Sequence, residues 1–453
     1  MIRDMTQGSV IKQLLRFSIP FMIANALQIA YNLVDMVIVG QYVGSAGLSA
    51  VAVGTDIMHL ELLACMGFCS AGQVLISQSV GAGNREGIRH CIGTMFTMMT
   101  IAALVVTVLG LRWIDPLLNL LNVPAEAYTA AKIYSQVCFV GTIFTYGYNI
   151  VAAILRGMGD SKHPLIFVTI AALLNLALDM VLVAGLHWGT MGAALATVIG
   201  QGVSLITSLV YLYHRREGFG FDFQPKSFLI HGPTCKTLLK LGIPLALQSS
   251  AVSISQLFIT SNINAYGVVV SAVNGVGAKL GQIAMVITNA IQMSGSSMIG
   301  QNFSARKKDR VSRIVWLSWG ISLGFCTLLS VISGCFPEQI FGLFNREPEI
   351  LAMSHEYVII LILNFIGFGL RAPMMALING LGCAKFALVI GILDGIVARV
   401  GLAVLLGEAI GMGIMGYWLG SVVAGFVPFV VGGVFFWSGL WKRVKPMVST
   451  SEE

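Results

Sequence analysis

The run "AALLNLALDMVLVAG" (residues 171–185) is apolar except for Asn175 and Asp179. A carboxylate in such surroundings is costly unless it is paired, solvated or protonated, so its chemistry must justify it. In a helix, four residues make about one turn, which puts Asn175 and Asp179 on one face. Asp179 lies 15 residues beyond Pro164, about 22 Å up a helix that starts on the inner side of a membrane. Asp35 lies 19 residues beyond Arg16 in the first apolar run, about 28 Å up its own helix. On helices running the other way, Tyr134 falls about 12 Å and Thr197 about 10 Å below the outer starts. All five reach the outer half of the membrane. Two carboxylates, an amide, a phenol and a hydroxyl in one layer suit a small hard cation or shared protons. Asp35 and Asp179 would repel each other unless a proton or cation came between them, which makes the pair a switch.

These depths presuppose helices that cross a bilayer, and the composition requires them. Of 453 residues 56% are hydrophobic and only 10% charged, with mean hydropathy +0.84, where a soluble protein carries about a quarter charged residues. Twelve apolar segments recur, centred near residues 27, 66, 100, 142, 175, 202, 250, 287, 324, 364, 397 and 425, each long enough to span. The fold class is therefore an all-α polytopic membrane protein with 12 transmembrane helices. The first apolar run, residues 14–39, is too long for a signal-peptide core and reads as the first span. Most of the basic residues collect in the N-terminal stretch, the even-numbered inner loops and the C-terminal tail, which predicts both termini in the cytoplasm and a multi-pass protein of the plasma (inner) membrane. The net charge of +7 is thus topological, and no nucleic-acid partner is expected. The eight cysteines form no CxxC and read as buried thiols.

The chain is duplicated. "KQLLRFSIP" (residues 12–20) returns as "KTLLKLGIP" (236–244), 224 residues later, and "QSVGAGNREGIRH" (78–90) returns as "QNFSARKKDRVSR" (301–313). "NVPAE" near Asn122 meets "NREPE" near Asn345, and "GTMGAAL" (189–195) meets "GIMGYWL" (413–419). An even number of spans per repeat predicts two six-helix bundles related by a pseudo-twofold axis along the membrane normal. The bundles are residues 1–213 and 236–453, the latter with a short cytoplasmic tail, joined by a basic cytoplasmic linker over 214–235. Such a pair predicts a central cleft and alternating access. Gln28, Gln248, Gln256, Gln282 and Asn289 are candidate polar groups lining it, and Pro20 is a candidate hinge because its missing amide permits bending below Asp35. The eleventh span holds Asp394 and Arg399, five residues apart and so about 140° round an α-helix, which predicts that they do not pair cleanly with each other. Asp394 is either a tie to neighbouring helices, with Lys279 a possible partner, or a counter-charge for a cationic substrate in the cleft. Asp56, His59 and Glu61 read as an interfacial polar patch.

The sequence resembles the multidrug and toxic compound extrusion (MATE) transporters, from about Lys12 to Trp437. The resemblance rests on the 6+6 duplication, the first-helix "QIAYNLVDMVIVGQYVGSAGLSAVAVG", the fifth-helix "NLALD", the loop "SQSVGAGNREGIRH" and the turn "LRGMGDSKHP". It implies export of cationic or amphipathic organic compounds in exchange for protons or sodium ions. It also implies that Asp35, Tyr134, Asn175, Asp179 and Thr197 form the coupling site, with Asp35, Asn175 and Asp179 as metal ligands if sodium is the ion. Some relatives carry acids in the seventh and tenth helices, whereas here Asp35 maps to Ile259 and Asp179 to Leu402, which speaks against coupling through the second bundle.

The expected partners are small organic cations or amphipathic drugs and the lipid bilayer, with no cofactor beyond H+ or Na+, and nothing calls for more than a monomer. A rival reading is a flippase for a lipid-linked sugar, which should show a strongly cationic cleft. A membrane enzyme or a scaffold is the rival of another class, but the chain has no HExxH, GxSxG or metal-spaced Cys/His set.

Overall fold

The computed structural model describes residues 3–448, apart from the side chain of Phe219. Among them are 12 helices long and apolar enough to cross a bilayer. They are α1 (Val10–Tyr42), α2 (Ser45–Gly81), α3 (Arg85–Leu120), α4 (Ala125–Gly157), α5 (Lys162–Gly185), α6 (Gly189–His214), α7 (Gly232–Asn264), α8 (Val268–Ser304), α9 (Lys308–Cys335), α10 (Pro348–Gly380), α11 (Ala384–Ala409) and α12 (Ile414–Trp437). They coincide with the twelve segments read from hydropathy. Helices dominate because a bilayer offers no water to the backbone, so each span must satisfy its own N–H and C=O groups.

The chain divides into two compact units. The first comprises the residues through Asp4 together with Ile19–Gly242, and the second comprises Met5–Ser18 with the chain from Ile243 onward. In α1 and again in α7 the change of unit falls one residue before a proline, Pro20 and Pro244. The division therefore differs from one drawn at residues 213 and 235: the linker groups with the first unit and residues 5–18 with the second. The linker is held on α3 by an Arg89–Asp222 ion pair of 3.1 Å and by Gly93, where a Cβ would stand 1.8 Å from the Ser227 carbonyl oxygen. Ser227 donates to Asp222, and with Arg89 nearby this holds the Asp222 carboxyl below the usual range and keeps it charged at neutral pH. In the second unit, the Met5 amide donates to Gln301 Oε1 at 2.9 Å and Lys307 Nζ to the Thr6 carbonyl at 2.9 Å.

In the first unit α4 is central, packed on α2, α3 and α6; in the second α10 packs on α8, α9 and α12. Small residues allow these approaches where lipid supplies no hydrophobic contrast. A Cβ on Gly141 would lie 2.5 Å from Val198, and one on Gly54 only 2.2 Å from the Tyr134 ring. Gly189 and Gly413 open α6 and α12 with φ of 57° and 58°, a left-handed conformation that glycine adopts without steric cost. Large apolar side chains on the outer faces, such as Leu104, Val105 and Val108 on α3, are exposed where lipid would cover them.

The α11–α12 contact offers a direct check. A Cβ on Gly420 would sit 2.4 Å from the Ala403 backbone nitrogen, whereas one on Gly401 meets nothing within 4 Å. Gly420→Ala is expected to destabilise the purified protein by about 1–3 kcal/mol. Gly401→Ala should be neutral or stabilising by up to about 1 kcal/mol, both read from thermal unfolding in detergent.

Candidate functional site

Asp35 of α1 and Asp179 of α5 are 8% and 1% exposed, and Asn175 and Tyr134 are also buried. The two carboxyl groups are neighbours close enough to interact electrostatically. Both carboxylate oxygens of Asp179 and Oδ1 of Asp35 are buried with no hydrogen-bond donor. One turn below Asp179, the Asn175 amide reaches Thr197 Oγ1 of α6 at 3.5 Å. Tyr134 of α4 stands beside Asp35 and Thr55, in the space that Gly54 leaves open. The five residues singled out in the sequence thus gather at one place in the first unit, contributed by α1, α4, α5 and α6.

Two facing carboxylates without donors cannot both keep a negative charge in a dry bundle at low cost. The arrangement can take up a proton between them or hold a small cation, and release it when the surroundings change. Among the described residues no cluster of three or more His, Cys, Asp or Glu side chains is placed to hold a metal ion.

The helix changes its winding at the site. From Met180 to Gly185 the last turn of α5 is π-helical, starting directly after Asp179. Such wide turns are rare and often mark functional positions. Three residues of the site were missed in the sequence. Tyr31 lies one turn before Asp35 on the same helix face and interacts with Asp35; its i,i+4 spacing from the acid was a usable signal. Thr55 and Gly54 gave no such signal, since the acid beside them, Asp56, is exposed and read as part of an interfacial patch.

The other candidates are more scattered. Gln28 is exposed and lies near Tyr31, at the edge of the carboxylate site. Gln256 and Gln282 line a cavity of about 270 Å³ inside the second unit. Gln248 packs against Gly391, and Asn289 is exposed and does not line that cavity. Pro20 sits inside an unbroken α1. Glu61 separates from the exposed Asp56 and His59, because its carboxylate accepts from Thr142 of α4 at 3.1 Å.

Asp394 departs most from expectation. It is buried, does not line the cavity, and pairs with Arg399 Nη2 at 2.8 Å and with Arg371 Nη1 at 3.8 Å. The expectation of 140° between Asp394 and Arg399 assumed an α-helix, but residues Leu393–Val400 are π-helical. With i→i+5 bonding, residues five apart stack on one face, and the pair closes. Lys279 is exposed and is not Asp394's partner. The polar groups that reach the cavity are the guanidiniums of Arg371 and Arg399, together with neutral side chains.

Comparison with known proteins agrees with this architecture. The MatE family model matches the chain twice, over residues 20–181 and 244–405, the same displacement of 224 that the internal repeat shows. The probable multidrug resistance protein YpnP of Bacillus subtilis (strain 168) is 29% identical over 98% of each chain. The probable multidrug resistance protein NorM of Thermotoga maritima is 24% identical over 95% of this chain and 93% of its own. Among solved structures, the outward-facing conformation of a multidrug resistance MATE family transporter of the MOP superfamily superposes with a TM-score of 0.88 at 23% identity, over 97% of this chain and 98% of that one, which speaks to the fold alone. With the family model covering both halves of a twelve-helix membrane protein, the chain belongs to the MatE family of multidrug efflux transporters and is not an enzyme.

Proposed function

We propose that the chain is a secondary active antiporter that exports cationic or amphipathic organic compounds in exchange for protons, by alternating access. The observation that carries this reading is the buried Asp35–Asp179 pair, three of whose four oxygens are buried without a donor. Two neighbouring buried carboxyls that lack donors favour a shared proton; a sodium ion would need further oxygens around it. Sodium held by Asp35, Asn175 and Asp179 is the alternative for the same site. Tyr134 and Thr197 position the pair, Tyr134 beside Asp35 and Thr197 through Asn175. The basic inner loops support an orientation with both termini in the cytoplasm. Pro20, just beyond the residue at which α1 passes between units, supports bending there.

The test is efflux of a fluorescent lipophilic cation from proteoliposomes under a proton gradient alone and a sodium gradient alone. Wild type is expected to respond to the proton gradient, and Asp35→Asn and Asp179→Asn are each expected to lose at least about tenfold of that rate. Equal gradient-driven efflux in wild type and both variants would remove the carboxylate pair from coupling, and a response to sodium alone would reassign the ion.

Folding supplies an independent readout. If the pair costs stability for the sake of coupling, the amide in Asp179→Asn removes one of two facing charges and supplies a donor. Its thermal unfolding temperature in detergent at neutral pH should equal or exceed that of wild type, whereas a marked drop would mean that the pair holds the bundle together.

A further inference from the structure

The cavity in the second unit is the repeat counterpart of the carboxylate site in the first. The motifs anchoring α1 to α7 and α6 to α12 are displaced by 224 residues, and those flanking α4 and α10 by 223. On these registers Asp35 corresponds to Ile259, Tyr134 to Tyr357, Asn175 to Arg399 and Thr197 to Ser421. Asp179 falls on Ala403, since the gapless alignment through Gly189 and Gly413 displaces it by 224 rather than onto Leu402. The structure bears out this correspondence in detail. A Cβ on Gly54 would stand 2.2 Å from the Tyr134 ring, and one on Gly277 would stand 2.2 Å from the Tyr357 ring. The Asn175–Thr197 contact returns as Arg399 Nη1 donating to Ser421 Oγ at 3.0 Å.

What changes is the charge. Ile259, Tyr357, Arg399 and Ser421 all line the cavity, and Arg371 joins them from α10. No carboxylate lines it. Two guanidiniums share the single buried Asp394, so the pocket wall carries one positive charge more than its nearest partner can neutralise. Donor capacity is also left over. Arg399 Nε is buried without a partner, and Arg371, with 23% of its side chain exposed, makes no hydrogen bond among the described residues. An uncompensated guanidinium inside a membrane span is expensive, and this one opens onto space enough for a small organic group.

We infer that this cavity binds the carboxylate of an amphipathic organic molecule, with Arg371 as the principal receptor and Arg399 behind it. A guanidinium fork matches a planar carboxylate in two-point contact, Gln256 and Asn364 add neutral polar partners, and Tyr357 and Trp418 offer aromatic faces to the rest of the ligand. That the ligand is a transported substrate rests on the antiport reading above; the binding itself does not, because it needs no gradient and none of the acids of the first unit.

Calorimetric titration of the full-length protein in neutral detergent tests it, using 1-naphthoate, its methyl ester and 1-naphthylmethylammonium as probes of equal ring size. Naphthoate should bind at least about tenfold more tightly than the other two and weaken as salt is raised. Arg371→Gln should abolish that preference while unfolding at the wild-type temperature, Arg371→Lys should retain part of it, and Lys279→Gln, a cation removed outside the cavity, should leave it intact. The inference is overturned if naphthoate does not bind, if the ester or the ammonium binds as well, or if Arg371→Gln changes nothing. Repeating the titration in nanodiscs separates a free carboxylate from a lipid phosphate. Binding that survives replacement of part of the phosphatidylcholine by phosphatidylglycerol supports the inference, and its loss assigns the arginines to a lipid headgroup instead.

Discussion

The constraint on which the rest of the structure depends is that a hydrocarbon layer gives charged groups no water. Asp35 and Asp179 are buried, and three of their four carboxylate oxygens have no donor. Everything around them keeps that condition in force. Gly54 lets the Tyr134 ring close one side, the Asn175 amide donates to Thr197, and the apolar cluster of Ile38, Val39, Val51 and Val183 packs against the neighbourhood. A carboxylate pair with its own donors would be a structural tie, and this pair has three oxygens without one.

Helix winding is the second determinant. A helix that adds one residue to a turn rotates everything beyond it, and both α5 and α11 do so beside their charged residues. In α5 the wide turns follow Asp179, and the repeat-equivalent turns recur at Leu405–Ala409 in α11. The additional π segment at Leu393–Val400 has no counterpart in α5, and it is this one that turns Arg399 onto Asp394. A single departure from 3.6 residues per turn thus decides whether an acid and a base five residues apart are strangers or partners.

Duplication gave the chain two scaffolds of the same design, and the polar residues at equivalent positions have diverged. Tyr134 and Tyr357 occupy the same niche against a glycine, Gly54 and Gly277, and the amide–hydroxyl contact of one unit is a guanidinium–hydroxyl contact in the other. The packing is retained because small-residue contacts between helices tolerate no added atoms, whereas the residues facing a cavity are free to change charge.

The number of spans, the duplication and the five residues gathered around Asp35 and Asp179 were legible in the chain. Each of these follows from a local rule: about 20 apolar residues cross a bilayer, repeated motifs keep their spacing, and helical rise converts residue number into depth. That is why Asp35 on α1 and Asp179 on α5 could be assigned to one layer although 144 positions separate them in the chain. Depth alone does not fix direction around a helix, however. Packing set the rest: Asp35 and Asp179 come together, Tyr31 and Thr55 join them, and Asp394 pairs with two arginines instead of lining the cavity. The reason is physical: the azimuth of a side chain depends on every turn before it, and a π segment is set by how a helix packs on its neighbours rather than by any residue type that can be read from the chain.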